Sequence, residues 1–377
     1  MKSERILSLD IFRGWTILFM ILVNNPGSWS YVYSPLEHAK WDGWTPTDLI
    51  FPFFLWISGF SIPLSIDKKT NAENKVFYAA ILRRSLLLIT LGLVLTGFPF
   101  GLLDLHIFTL HTWRIPGVLQ RIGICYFTAA AVYHLGKEKL TIIISILFLL
   151  VYAMIIEFYY VPGHGYGILT IEGNAAGYFD AFLFGSHTWS GSPVPGFDPE
   201  GALSSLTAVV TMMSGILSFK LLKLEKSLKN IFIFFLSGIA AASSGILLDN
   251  VWPINKNLWS ISYVFFTSGT AVCFYSIFYF IYDFKKIKLL SLFPSLYGMN
   301  AILVYTLSAI IARILIYTEI RDNENNLWTT KSYLYHSFTS ITEMDPYTSS
   351  LMLAVLFVLS FAPGLYLLRR KKIYIKL

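Results

Sequence analysis

Apolar residues in this chain come in blocks. Runs of about 20 of them, the length a helix needs to cross a bilayer core, recur over residues 6–25, 48–66, 76–98, 115–135, 139–161, 201–222, 228–249, 258–283, 295–317 and 347–368. The pattern predicts an all-α polytopic membrane protein with about ten transmembrane helices in a single domain over 1–377. Asp10 and Arg13 interrupt the first block, and Gly298 and Asn300 fall near the start of the ninth. No internal repeat stands out, so the inverted-repeat plan of many transporters finds no support.

The stretch 24–52, between the first two blocks, is the one that asks for a role. A connection that only reverses direction can be short and polar. This one is long, and holds Trp29, Tyr31, Tyr33, Trp41 and Trp44 around a single histidine, His38. Asn24 precedes that histidine and Asp48 follows it, each at the end of a flanking span. A carboxylate or amide can orient an imidazole, which then serves as a base near neutral pH. The stretch therefore reads as a reactive loop.

Composition supports the membrane assignment. Hydrophobic residues make up 55% of the chain and charged residues 14%, against roughly a quarter charged in soluble domains. The N-terminus resembles a signal peptide in carrying Lys2 and Arg5 before an apolar run. Asp10, Arg13 and the lack of a small-x-small cleavage site keep it as the first span. Cys125 and Cys273 both sit inside apolar runs and read as buried thiols, which excludes a disulfide framework. Nucleic acid is excluded as a partner because the basic residues lie in short loops between spans.

The 29 lysines and arginines set the orientation. With the N-terminus in the cytoplasm, the outer segments hold only Lys40, Arg114, Lys256, Arg321 and Lys331, and Arg13, Arg121 and Arg313 lie within spans. The rest fall on inner segments and span ends, among them Lys68, Lys69, Lys137, Lys223, Lys226, Lys285 and Lys376. Both termini are then cytoplasmic, and the His38 loop and the longest loop, 162–200, are outside. That long loop has no lysine or arginine and carries Asp180, Asp198 and Glu200. It reads either as a lid or substrate wall, or as a passive, poorly ordered connection.

Charges at membrane depth face the protein interior. Asp10 and Arg13, three apart on one helix, can pair with each other. Arg83 and Arg84 lie about two turns inside the third span; they either snorkel to headgroups or hold phosphate. Gln120 and Arg121 follow Pro116 into the fourth span. A buried pair to Asp48 and a substrate or cofactor contact are equally open readings of Arg121. The outer histidines, His38, His106, His111, His164, His187 and His336, lack metal-ligand spacing, so no metal site is expected. No nucleophile elbow, P-loop or dinucleotide fingerprint occurs.

Several motifs together resemble one family. S-L-D-I-F-R-G at 8–14, V-N-N at 23–25, H-A-K-W-D-G at 38–43 and T-D-L-I-F-P at 47–52 are similar to the heparan-α-glucosaminide N-acetyltransferases. The similarity continues through R-I-P-G-V-L-Q-R at 114–121, N-A-A-G-Y-F-D at 174–180, D-P-E-G at 198–201, N-K-N-L-W-S at 255–260, G-M-N-A-I-L-V-Y at 298–305 and R-K-K-I at 370–373.

The resemblance implies a transmembrane enzyme that moves acetyl from cytoplasmic acetyl-CoA to the amine of a glucosamine-type sugar across the bilayer. Its catalytic residues fall on His38, Asn24 and Asp48. Coenzyme contacts are expected at Arg13, Arg83, Arg84 and Arg121. Substrate contacts are expected at Arg114, Gln120, Asn255, Lys256, Asn257 and Trp259. The family's large N-terminal lumenal domain has no counterpart here, which implies a bacterial inner-membrane protein with a periplasmic active-site loop. The expected partners are an amino sugar and the lipid bilayer, with a homodimer as a further option. An amino-sugar carrier and a sugar O-acetyltransferase are the competing readings.

Overall fold

The computed structural model describes residues 6–66, 74–103, 108–222, 227–322 and 324–375. Lys2, Arg5, Lys68, Lys69, Lys223, Lys226, Lys376 and His106, used above for charge and histidine placement, lie outside the described residues.

Bilayer thickness explains the lengths of the helices. Among the described residues, α1 (Leu7–Asn24), α2 (Pro46–Ile66), α3 (Asn74–Gly97), α4 (Val118–Phe158), α6 (Ala202–Leu222), α7 (Leu228–Leu248), α8 (Ile261–Phe284) and the run Pro346–Arg370 are each long and apolar enough to span. Helix α4 has 41 residues, about 60 Å at 1.5 Å per residue, or twice a bilayer core. Gly136 and Lys137 leave helical geometry in its middle, so it is long enough for two crossings with a short joint between them. Leu292–Met299 (α9) and Ala301–Tyr317 (α10) are together long and apolar enough for one span and meet at a bend of 82°. Counted this way, the bundle crosses ten times, and the chain is an all-α integral membrane protein.

The remaining elements sit at span ends. They are α5 (Ala175–Phe184) inside the long loop, the hairpin of β1 (Glu319–Arg321) with β2 (Leu327–Thr329), and α11 (Thr330–Thr342). The last span is two helices, α12 (Pro346–Ser360) and α13 (Ala362–Arg370).

Close backbone approach holds the central helices together, since apolar side chains gain little over lipid. A β-carbon at Gly59 of α2 would lie 1.8 Å from the Met212 carbonyl oxygen of α6, and one at Gly14 of α1 equally close to that of Pro294. Trp56, Phe60 and Tyr275 fill the interior where α2, α6 and α8 meet. The N-terminus of α1 has no side-chain cap of its own. Asp283, at the far end of α8, accepts the N–H groups of Leu7 (3.2 Å) and Ser8 (2.9 Å), placing an anion on the positive helix end.

The long loop is ordered. Asn174 caps α5 by accepting the Gly177 N–H at 2.7 Å and donates to the Thr170 and Ile171 carbonyls. Asp180 accepts from Ala202 N at 2.8 Å, and the His187 carbonyl takes the Ile115 N–H at 2.9 Å.

Candidate active site

Asp48 is the hub of the stretch 24–52, and a local rule positions it. Thr45-Pro46-Thr47-Asp48 forms a capping box at the start of α2. Asp48 Oδ2 accepts the N–H groups of Thr45 and Ala39, each at 3.0 Å. Tyr263 of α8 donates its hydroxyl to the Asp48 backbone carbonyl. Asp48 is 1% exposed, and its remaining oxygen, Oδ1, meets His38 Nδ1 at 2.7 Å. The His38 side chain is 47% exposed, so the ring is oriented from behind and open in front.

A third group joins this pair from 218 residues away in sequence. Lys256 Nζ lies 2.9 Å from His38 Nδ1, 3.4 Å from Nε2 and 3.4 Å from Asp48 Oδ1. The turn 255–260 that presents it is tied down at both ends. Asn255 Oδ1 accepts from Leu258 N at 2.9 Å, and Ser260 Oγ from Asn255 N at 3.1 Å. Trp259 takes φ +51°, and its indole donates to Thr211 Oγ1 at 3.0 Å. The turn grips the His38 loop through Asn255 Nδ2 to Asp42 Oδ1 (3.1 Å) and Gly43 N to the Ile254 carbonyl (2.8 Å). On its other side the loop is pinned to α12 by Gly27 N to the Ser350 carbonyl at 3.0 Å.

Burial lowers the pKa of Lys256, and the opposing fields of Asp48 and Glu200 do not fully restore it. Glu200 belongs to an ion cluster with Arg114 and Asp198. Arg114 donates to Asp198 through Nε (2.8 Å) and Nη2 (2.6 Å), and Nη2 also reaches Glu200 at 2.6 Å. Burial opposes charge on Arg114, but these two carboxylates outweigh it and raise its pKa. Burial likewise pushes Glu200 up, yet Arg114 holds it below the usual carboxylate range. Among the described residues no cation hydrogen-bonds to Asp180, and burial raises it to about 7 despite two backbone N–H groups and the field of Arg121.

Arg121 is fully buried. It donates to the Gly201 carbonyl at 3.1 Å and to Ser204 Oγ, with its guanidinium 5.1 Å from the Trp259 ring. Asp48 is not among its hydrogen-bond partners, so a direct Asp48–Arg121 pair does not explain it. Gln120 Nε2 folds back onto the Ile115 carbonyl at 3.0 Å. Asn257 is half-buried on the 255–260 turn. Asn24 ends α1 with an exposed side chain, and among the described residues its amide makes no hydrogen bond to His38 or Asp48.

At the opposite end of the bundle a cavity of 290 Å³ is lined by Arg13, Ser58, Ser61, Ser65, Arg84 and Tyr126, with apolar residues beneath. Arg13 pairs with Asp10 at 3.5 Å and donates to Ser61 at 3.1 Å. The Arg84 guanidinium lies 4.5 Å from the Tyr126 ring. Arg83 is exposed and does not line this cavity. An apolar gap shares Phe54, Leu119, Ile122, Ala301 and Ile302 with the cavity. That gap is only about 10 Å³, is also lined by Met20, Phe51 and Tyr305, and is bordered by neither His38 nor Asp48. The break in the ninth span lines the cavity through Gly298, Met299 and Ala301, and Asn300 there accepts the Ile375 N–H at 2.9 Å.

Comparison with known proteins gives the geometry a context. Residues 5–171 match the family model described as heparan-alpha-glucosaminide N-acetyltransferase, catalytic. The human heparan-alpha-glucosaminide N-acetyltransferase is 31% identical over 356 residues, covering 80% of this chain and 52% of the relative. The mouse protein of the same name is 32% identical over 360 residues, covering 81% and 53%. The chain belongs to the heparan-alpha-glucosaminide N-acetyltransferase family. It spans about half the length of the curated relatives it matches. The family-matched span contains His38, Asp48, Arg84 and Arg121 but not the 255–260 turn.

Several site groups escape a reading of the sequence. The serines of the cavity had a signal: Ser58, Ser61 and Ser65 recur at helical spacing on one face of α2. The Thr45-x-x-Asp48 cap is likewise a local pattern. Nothing local couples Lys256 to His38, or Arg114 to Asp198 and Glu200.

Proposed function

We propose that the protein is a transmembrane N-acetyltransferase that takes acetyl from cytoplasmic acetyl-CoA and delivers it to the amine of a glucosamine-type sugar on the periplasmic face of a bacterial inner membrane. The observations that support this reading are the Arg13–Arg84 cavity at one end of the bundle and the half-exposed His38–Asp48 pair at the other. Coenzyme phosphates cannot enter hydrocarbon, and guanidinium groups suit them. In the proposed reaction the thin pantetheine arm inserts between the helices toward His38, so acetyl crosses without a large alternating-access motion.

In the reaction the sugar nitrogen attacks the thioester carbonyl carbon. A nitrogen–carbon bond forms, and the amine proton passes to His38 Nε2, the ring nitrogen that an Asp48-bound Nδ1–H leaves as acceptor. Collapse of the tetrahedral intermediate breaks the carbon–sulfur bond, and the imidazolium protonates the leaving thiolate. Asn24 is the proposed amide donor to the oxyanion. Both substrates meet at one loop, which favours direct transfer within a ternary complex over an acetyl-histidine intermediate.

Sidedness tests the whole reading. In vesicles, molecules are sorted by impermeant labelling of Ser186→Cys on the long loop. Those whose 162–200 loop faces the lumen are expected to use external labelled acetyl-CoA to acetylate internal glucosamine. Transfer with both substrates confined to the Ser186 side would overturn the passage, and sugar uptake without acetylation would make the protein a carrier. A panel of amino sugars and N-blocked sugars in the same assay separates N- from O-acetylation.

The cavity makes a narrower prediction. Arg84→Ala and Arg13→Ala are each expected to raise KM for acetyl-CoA roughly tenfold or more, the loss of one charge-assisted contact, with acceptor KM little changed. Arg83→Ala is expected to leave both constants near wild type. Unchanged coenzyme KM in both cavity variants would move the phosphate site elsewhere.

A further inference from the structure

The cluster at His38 contains one more proton-bearing group than a histidine–carboxylate pair needs. We propose that Lys256 is a positioning residue that acts through His38, its ammonium standing against the imidazole and sharing Asp48 Oδ1 with it. The inference rests on His38 serving as the base.

The geometry forces a competition. Asp48 Oδ2 is already occupied by the N–H groups of Ala39 and Thr45. Only Oδ1 remains, and both His38 Nδ1 (2.7 Å) and Lys256 Nζ (3.4 Å) reach it. Lys256 Nζ also stands 2.9 Å from Nδ1 itself. A ring nitrogen is a donor or an acceptor, never both at once. If Nδ1–H donates to Asp48, Nε2 keeps its lone pair and the ring is a base. Lys256 Nζ lies 2.9 Å from Nδ1 and 3.4 Å from Nε2, so it stands against the ring and not on the in-plane direction of Nδ1, which faces Asp48.

The ammonium has a second effect. A proton gained by the ring during the reaction would place a second positive charge beside this ammonium. The Lys256 cation also disfavours an acceptor that arrives as an ammonium ion. The groups facing Lys256 are His38 and Asp48 from the loop and start of α2, Glu200 from the long loop, and Arg121 from α4. Burial among them lowers its pKa, so the lysine can itself lose a proton as pH rises. The clamp of Asn255 on Asp42 and the left-handed turn at Trp259 hold the amine at this point.

The pH profile of kcat/KM separates this role from simple substrate binding or support. Lys256→Met removes the cation at similar side-chain volume. It is expected to move the acid limb to higher pH by about 1 unit and to cut kcat/KM by up to about tenfold on the acid side of that limb. Lys256→Arg, which keeps the charge, is expected to leave the acid limb near its wild-type position, and serves as the second variant if the methionine protein does not fold. An acid limb in Lys256→Met that stays in place while only acceptor KM rises would overturn the proposal, as would an arginine variant whose limb moves as far as that of methionine. His38→Ala is measured alongside. Near-normal turnover there would sink the reading of His38 as base, whereas an inactive His38→Ala with an unmoved limb in Lys256→Met sinks the Lys256 inference alone.

Discussion

His38→Ala is expected to lower kcat by about 10²–10⁴, the usual worth of a positioned general base, and to leave the fold intact. The ring is nearly half exposed, so its removal gives up little buried area. Asp48 stays supported without it, because the Thr45 and Ala39 N–H groups and the Lys256 ammonium remain. The cavity at the Arg13–Arg84 end is untouched, so KM for acetyl-CoA should stay near wild type. Label transfer at saturating substrate, together with the thermal midpoint in detergent, provides the check. Wild-type turnover by this variant would remove His38 from the mechanism. Asp48→Asn should hurt both activity and stability, because it disturbs the cap of α2 as well as the ring.

Arg114→Ala carries the largest expected loss of stability. Asp198 is fully buried and Glu200 nearly so, and both are neutralised by the same guanidinium at 2.6–2.8 Å. Removing one partner of a buried ion pair costs about 3–5 kcal/mol, because the remaining charges stay desolvated. The damage should concentrate where the cluster ties the long loop to the start of α6. Limited proteolysis within 162–200 and a lowered thermal midpoint are the readouts. The triple variant Arg114→Met, Asp198→Asn, Glu200→Gln is expected to recover much of the loss, since it removes the stranded charges. A single variant as stable as wild type would show that the cluster is solvated in the working protein.

What the sequence determined by itself was set by short-range physics. A bilayer demands about 20 apolar residues per crossing, so ten crossings can be read from hydropathy, including both halves of α4 and the irregular span at Asn300. The His38–Asp48 pair was legible because both residues lie on one loop, and because Thr45 and Asp48 have the spacing of a helix cap. Other arrangements depended on which helices pack together, and hydropathy does not record that. Lys256 reaches His38 only because the Asn255 turn is clamped onto Asp42 across 213 residues. Arg121 was open to a pairing with Asp48, but the approach of α6 gives it Gly201 and Ser204 instead. Arg114 was open to substrate, and the ordered long loop supplies it with Asp198 and Glu200. A buried charge takes whichever partner the packing brings within about 3 Å, and that choice is made in three dimensions.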